Sequence, residues 1–243
     1  MSTSHALQQL GWRPCFSQQL TLEDLEAYYP ARIASVHRSG VSALCEAGAI
    51  RLAVPRDMQR GGVAAVLTVG DWVLADRRAP RVRRRLDRSS AILRIAAGSD
   101  TQPQAIAANL DTLFVVTSCN HDFNPSRLER YMAVALDANV EPVVVLTKTD
   151  LCGDPGGYIE RAETSAPGAA VAALNAAVPS EAAARLAPWL DAGRTVAFVG
   201  SSGVGKSTLV NALTGVEHGA AGMRRQPTAA IREDDSRGRH TTT

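Results

Sequence analysis

A buried-looking apolar run at residues 195–199 leads straight into Gly200, Ser201, Ser202, Gly203, Val204, Gly205, Lys206 and Ser207, and helical spacing follows over residues 207–213. These eight residues match G-x-x-x-x-G-K-[ST] in full, and a strand before with a helix after is the context the pattern requires. The order has a mechanical reason. Glycines let the backbone curl until successive N–H groups point inward at phosphate oxygens, and the helix start adds the positive end of its dipole. Lys206 would reach the β- and γ-phosphates, the Ser207 hydroxyl would ligate Mg2+, and Thr208 is placed to donate to the α-phosphate.

Such a loop does not choose a base. A second motif does. The apolar run 142–146 ends in Thr147, Lys148, Thr149 and Asp150, which fit [NT]-K-x-D. A carboxylate there accepts from guanine N1–H and the N2 amino group, whereas adenine offers neither donor. Rejection through an unpaired polar group is large, on the order of ten-thousandfold in favourable cases. The Lys148 stem can lie on the face of the base. Thr147 stands where Asn is commoner and lacks an amide bridge near the base edge.

The order of the two motifs is diagnostic. Asp150 precedes Gly200 by fifty positions, and the 35 residues after Thr208 hold no second [NT]KxD. In an ordinary GTPase the phosphate loop comes first. The chain therefore predicts a circularly permuted domain. Asn175 and Ala176, after a weak strand at 171–174, fall where a short guanine-supporting loop belongs, its backbone N–H facing guanine O6. An ordinary turn is the competing reading. Near the end of the sequence, Gly238, Arg239, His240, Thr241, Thr242 and Thr243 resemble a switch loop whose threonine completes Mg2+ coordination. The central Thr242 is the candidate Mg2+ ligand, and His240, a lone loop histidine, fits a solvent-exposed position better than a catalytic one.

Strand-then-helix alternation begins near Ala107. Residues 112–117, 142–146, 171–174 and 195–199 read as buried strands, and 126–138 as a helix through Leu128, Met132 and Leu136; 180–190 reads as another. That rhythm implies a parallel sheet with helices on both faces. The first half differs. Residues 1–30 read as a loosely ordered lead-in with a short helix over 21–28 that Pro30 ends. Short β-like runs follow at 32–36, 41–44, 50–54 and 72–75, punctuated by glycines. This spacing suggests a small all-β barrel, of a size suited to the five-stranded OB type. The predicted fold class is thus multi-domain: a lead-in at 1–30, an OB-type barrel at 31–98 and an α/β P-loop domain at 99–243. Residues 219–243 show no periodicity and read as a loop.

Composition narrows the classes further. No apolar stretch approaches the ~20 residues that span a bilayer, and residues 1–9 have no signal-peptide pattern. Four scattered cysteines with no CxxC pair suit reduced thiols in the cytoplasm. The net charge of +2 does not announce a nucleic-acid binder, but Arg77, Arg78, Arg81, Arg83, Arg84, Arg85, Arg88 and Arg94 crowd one stretch. That cluster fits a solvated hairpin or a phosphate-backbone surface equally. Of 26 Lys and Arg residues only Lys148 and Lys206 are lysine. Both fall inside nucleotide motifs, which argues that those positions need a compact, mobile point charge.

Taken together these motifs resemble the circularly permuted, ribosome-stimulated GTPases of small ribosomal subunit assembly. Further resemblance lies in Pro30 to Ile33, Val69 to Val73, Ser89 to Gly98, Ile106 to Asp111, Phe123 to Tyr131 and Gly238 to Thr243. It implies GTP/GDP binding, Mg2+, GTP hydrolysis stimulated by the ribosome, and an OB domain that binds small-subunit rRNA. A cytoplasmic monomer with no membrane or DNA partner is expected. The family continues with a D-x-x-G switch and a C-terminal zinc domain with three Cys and one His. No Cys follows Cys152 here, so the expectation is a chain cut short before both, with autonomous hydrolysis in question. Two other readings stay open: a P-loop ATPase or kinase, and a non-catalytic RNA-binding remnant.

Overall fold

The computed structural model describes residues 5–56, 58, 66–95 and 103–215. Contacts divide the chain into two units. The first runs to Asp111 and takes in Ala138–Val140 and Ala192–Thr195; the second comprises Thr112–Asp137, Glu141–Asp191 and Val196 onward. The first therefore runs past the expected boundary near Gly98, a residue outside those described.

In the first unit, helices α1 (His5–Gln9), α2 (Pro14–Ser17) and α3 (Leu22–Ala27) precede strands β1 (Tyr28–His37), β2 (Gly40–Cys45), β3 (Gly48–Leu52), β4 (Trp72–Asp76) and β5 (Val82–Arg85). Thr21 and Asp24 cap α3 reciprocally, each side chain taking the other's backbone N–H. The strands form one antiparallel sheet in the order β3-β2-β1-β4-β5. Its edges meet: Ala53 N donates to Pro80 O at 2.8 Å and Val82 N to Ala53 O at 2.9 Å, so the sheet closes on itself. Inside lie Ala31, Ile33, Val41, Ala43, Leu52, Val73, Ala75 and Val82, the alternate positions that a pleated strand turns to one face.

β4 breaks that alternation, because Trp72 and Leu74 are as buried as Val73 and Ala75. Residues expected to be a loose lead-in explain it. Trp12 and Phe16 pack with Leu7, Leu86, Trp72 and Leu74 on the other face, Trp12 edge-on to Trp72 at 4.8 Å. Pro30 does not end the helix but sits inside β1, opposite Leu74. There β1 has β4 as its only partner, since pairing with β2 starts at Arg32, and a strand bonded on one side tolerates a missing N–H. A hairpin of β6 (Ala91–Ile95) and β7 (Pro103–Ala108) completes the unit.

The arginine stretch folds into β5 and its flanks. Arg88 makes two bonds, 2.6 and 2.8 Å, to the fully buried carboxylate of Asp71. Arg84 pairs with Asp24 at 2.8 Å and Arg81 with Asp76 at 3.3 Å. Arg77, Arg78 and Arg83 remain exposed.

The second unit contains β8 (Thr112–Ser118), α4 (Pro125–Asp137), β9 (Glu141–Thr147), α5 (Pro155–Ser165), β10 (Ala170–Ala173), α6 (Pro179–Leu186), β11 (Val196–Val199) and α7 (Lys206–Thr214). Four parallel strands lie in the order β10-β9-β8-β11. Every residue of β8 is buried, as a strand covered on both faces requires. Phe114, Val116, Val143 and Val145 face a core shared with Ala182 and Leu186 of α6 and Leu209 of α7. From β8 the chain steps outward through α4 and α5, then returns through α6 to the far side of β8. Right-handed crossovers place helices of opposite stepping direction on opposite faces. On α4 the inward residues are Leu128, Met132 and Ala135, while Leu136 is 66% exposed. Two 3.6-residue turns from Leu128 arrive nearest 132 and then 135 rather than 136. No helix among the described residues is long and apolar enough to cross a membrane.

Candidate nucleotide site

Strand order reverses between β8 and β11, and ligands in open parallel sheets bind beyond the carboxyl ends of strands at such a reversal. The loop after β11 is residues 200–205. Gly200 has φ 145°, and a Cβ there would stand 2.1 Å from Val116 O, so no side chain fits. Gly205, at φ 98°, is the residue before α7 and offers no capping side chain. The first-turn N–H groups of a helix have no intrahelical acceptor; with no cap to take them, they are left for a ligand. Val204 anchors the loop by burying its side chain in the core.

The lysine follows the same logic. Lys206 Nζ donates to Gly200 O at 2.9 Å and to Ser201 O, and burial pushes its pKa below the ordinary lysine range. An ammonium desolvated against carbonyls alone lacks a counter-ion. The Ser207 hydroxyl makes no hydrogen bond among the described residues and is half-buried at the helix start. A free, hard oxygen there fits Mg2+.

The [NT]-K-x-D residues end β9, next to β8. Thr147 is fully buried, and its hydroxyl donates to Val204 O at 2.6 Å, with Thr117 O at 3.1 Å. A hydroxyl has one proton, so the shorter contact takes it, and the base motif is tied to the glycine loop. The threonine therefore supplies a bridge of its own where the sequence reading counted one lost. Lys148 adopts the left-handed conformation at φ 58°, and its buried Nζ has no hydrogen-bond partner. Burial lowers its pKa, with Asp122 opposing. Thr149 and Asp150 form a single 3-10 turn, and Asp150 is exposed.

Asn175 and Ala176 lie beyond β10. The Asn175 carboxamide accepts from Ala177 N at 2.9 Å, closing its own turn, and Glu181 accepts from Asn175 N at 3.1 Å. The Ala176 N–H has no partner among the described residues. Arg127, in the first turn of α4, was not singled out for the site; it donates to the Ser201 hydroxyl. Its signal is a cation in the first turn of the helix that follows a buried strand. Thr242, with the whole of residues 238–243, lies outside the described residues. Among those described, no group of three or more His, Cys, Asp or Glu is placed to hold a metal ion.

The two sheets and the order of the loops define a class of fold, that of circularly permuted GTPases. Solved structures agree: YjeQ from Thermotoga maritima superposes with TM-score 0.61 at 21% identity, over 76% of this chain and 65% of that one. YloQ, described as a circularly permuted GTPase, gives 0.58 at 21%, over 79% and 66%. The chain belongs to the RsgA GTPase family, whose profile matches residues 85–243. It is 48% identical over its full length to small ribosomal subunit biogenesis GTPase RsgA 2 of Vibrio parahaemolyticus, covering 64% of that protein. Against small ribosomal subunit biogenesis GTPase RsgA of Mesorhizobium japonicum the identity is 46%, covering 67%. The chain thus spans about two thirds of the length of these curated relatives.

Proposed function

We propose that the chain is the guanine-nucleotide-binding part of a GTPase that assists maturation of the small ribosomal subunit in the cytoplasm. The observation that carries this reading is the bond from Thr147 to Val204 O, which joins a base-reading segment to a phosphate-type loop although their sequence order is reversed. In this reading residues 200–208 hold the phosphates, Lys206 neutralises the terminal ones and Ser207 ligates Mg2+. Asp150 reads the guanine edge, Lys148 covers the ring and the Ala176 N–H faces O6. Thr242 remains the proposed second Mg2+ ligand. The bound metal supplies charge neutralisation on the phosphate oxygens. Competition with a fluorescent GDP analogue tests the assignment: GTP and GDP should displace it, and ATP should not. Displacement by ATP at equal concentration would favour a P-loop ATPase or kinase.

The first unit we read as an OB-type barrel that binds small-subunit rRNA. The closed five-stranded sheet supports the barrel, and the relatives' role in small ribosomal subunit biogenesis is consistent with an rRNA partner. The paired arginines hold the fold, so the exposed Arg77, Arg78 and Arg83 are the ones to contact phosphates. Changing these three to Ala should weaken rRNA binding and flatten its salt dependence by up to about three counterions, with melting unchanged. Arg88→Ala is the contrast: stranding the buried Asp71 carboxylate should cost about 3–5 kcal/mol of stability. If the exposed triple variant binds rRNA like wild type at low salt, these arginines are only a solvated surface.

A further inference from the structure

Arg127 is the third residue of α4, and that turn has no acidic residue. A first turn favours carboxylates and disfavours cations, so the helix itself gives no reason for arginine there. The ion pairs among the described residues leave Arg127 out. Its Nη1 donates instead to the Ser201 hydroxyl and reaches toward Asp122 O at 3.5 Å. Ser201 is also the residue whose carbonyl receives Lys206 Nζ. Two cations therefore converge on one residue at the head of the glycine loop, one on its hydroxyl and one on its carbonyl, neither with a counter-ion among the described residues. Like charges held this close repel, and an anion placed beside both removes the repulsion.

Building on the nucleotide reading above, we propose that Arg127 is a second phosphate-contacting cation supplied in cis, which exchanges the Ser201 hydroxyl for an oxygen of the terminal phosphate of bound GTP. A guanidinium suits the task because it stays charged and presents a planar fork of donors. A neutral hydroxyl holds it loosely compared with a phosphate oxygen, since charge-assisted bonds are roughly twice as strong. The terminal phosphate is the target because Arg127 shares Ser201 with Lys206, whose task is the terminal phosphates. The base motif is tied to the loop further along, at Val204. A contact made only to the terminal phosphate separates triphosphate from diphosphate.

The test is titration of wild type, Arg127→Gln, Arg127→Lys and Ser201→Ala with a fluorescent GDP and with a non-hydrolysable GTP analogue in Mg2+. Arg127→Gln should bind the GTP analogue about tenfold more weakly, the loss of one charge-assisted hydrogen bond. Its GDP affinity should stay unchanged, which also reports a folded loop. Arg127→Lys should recover part of the loss, and Ser201→Ala should not weaken the GTP analogue selectively over GDP. If the glutamine variant does not fold, Arg127→Lys supplies the reading, because losing the planar fork should still lower GTP-analogue affinity selectively. Equal losses for both nucleotides, reproduced by Ser201→Ala, would make the arginine a strut for the loop and overturn the proposal. An unchanged preference in Arg127→Gln, or in Arg127→Lys where it is read instead, would overturn it too. A wild-type chain that binds neither nucleotide overturns the nucleotide reading itself.

Discussion

Asp150→Asn should turn a guanine site into a xanthine site. In the proposed site the carboxylate, exposed in the turn after β9, would accept from guanine N1–H and the N2 amino group. A carboxamide offers a donor where the amino group needs an acceptor, and xanthine carries a carbonyl at that position. Sites built on such matched hydrogen bonds reject the mismatched partner by on the order of ten-thousandfold, so the GTP-to-XTP preference should invert by a change approaching that size. Lys148 and the Thr147 bridge to Val204 are untouched by the substitution, so the loop stays assembled and total affinity for XTP should be substantial. Calorimetric titration with both nucleotides checks this. A variant that loses GTP without gaining XTP would place Asp150 in the loop's architecture rather than at the base edge.

Lys206→Ala should remove nucleotide binding while leaving the fold intact. Hydrogen bonds to charged groups contribute about 1.5–3 kcal/mol each, and 1.4 kcal/mol is tenfold in affinity. Two such bonds to the terminal phosphates correspond to a loss of at least about a hundredfold. No other lysine is available except Lys148, which the proposed function assigns to the base. In the free protein burial lowers the ammonium's pKa, and the variant opens to water the two loop carbonyls it bonds. Melting without ligand should therefore stay close to wild type. Parallel melting curves with and without GDP read both quantities. Wild-type affinity in the variant would mean that residues 200–207 do not hold phosphates.

The second unit was legible because its signals are local. A strand buried on both faces must be apolar throughout, as 112–118 and 141–147 largely are, and the glycine loop announces its own strand and helix. Other elements were hidden for physical reasons. α1 and α2 span five and four residues, too short for a 3.6 period to show, so the packing of Trp12 and Phe16 on Trp72 could not be read. β5 is Val-Arg-Arg-Arg, with one apolar residue in four, and is a strand through its antiparallel pairing with β4, which no local pattern shows. α5 contains two glycines, yet Asp154 and Pro155 marked its start. For the site, both motifs were readable, but Arg127 meets Ser201 across 74 positions, a distance no spacing rule bridges.

The placement of β11 beside β8 has a consequence for how the domain is made. Chains leave the ribosome from the N-terminus and fold as they emerge. In this order β8, β9 and β10 are synthesised first, so three adjacent strands can associate with the base-reading turn complete while the glycine loop does not yet exist. β11 then docks on the opposite flank of β8 and brings the loop with it. A ligand stabilises only the state that binds it, so nucleotide acts once β11 has joined the sheet and not on the nascent set of β8, β9 and β10. The unpermuted arrangement would deliver the phosphate end first. Here β11, translated after β8, β9 and β10, decides when the nascent domain first responds to nucleotide.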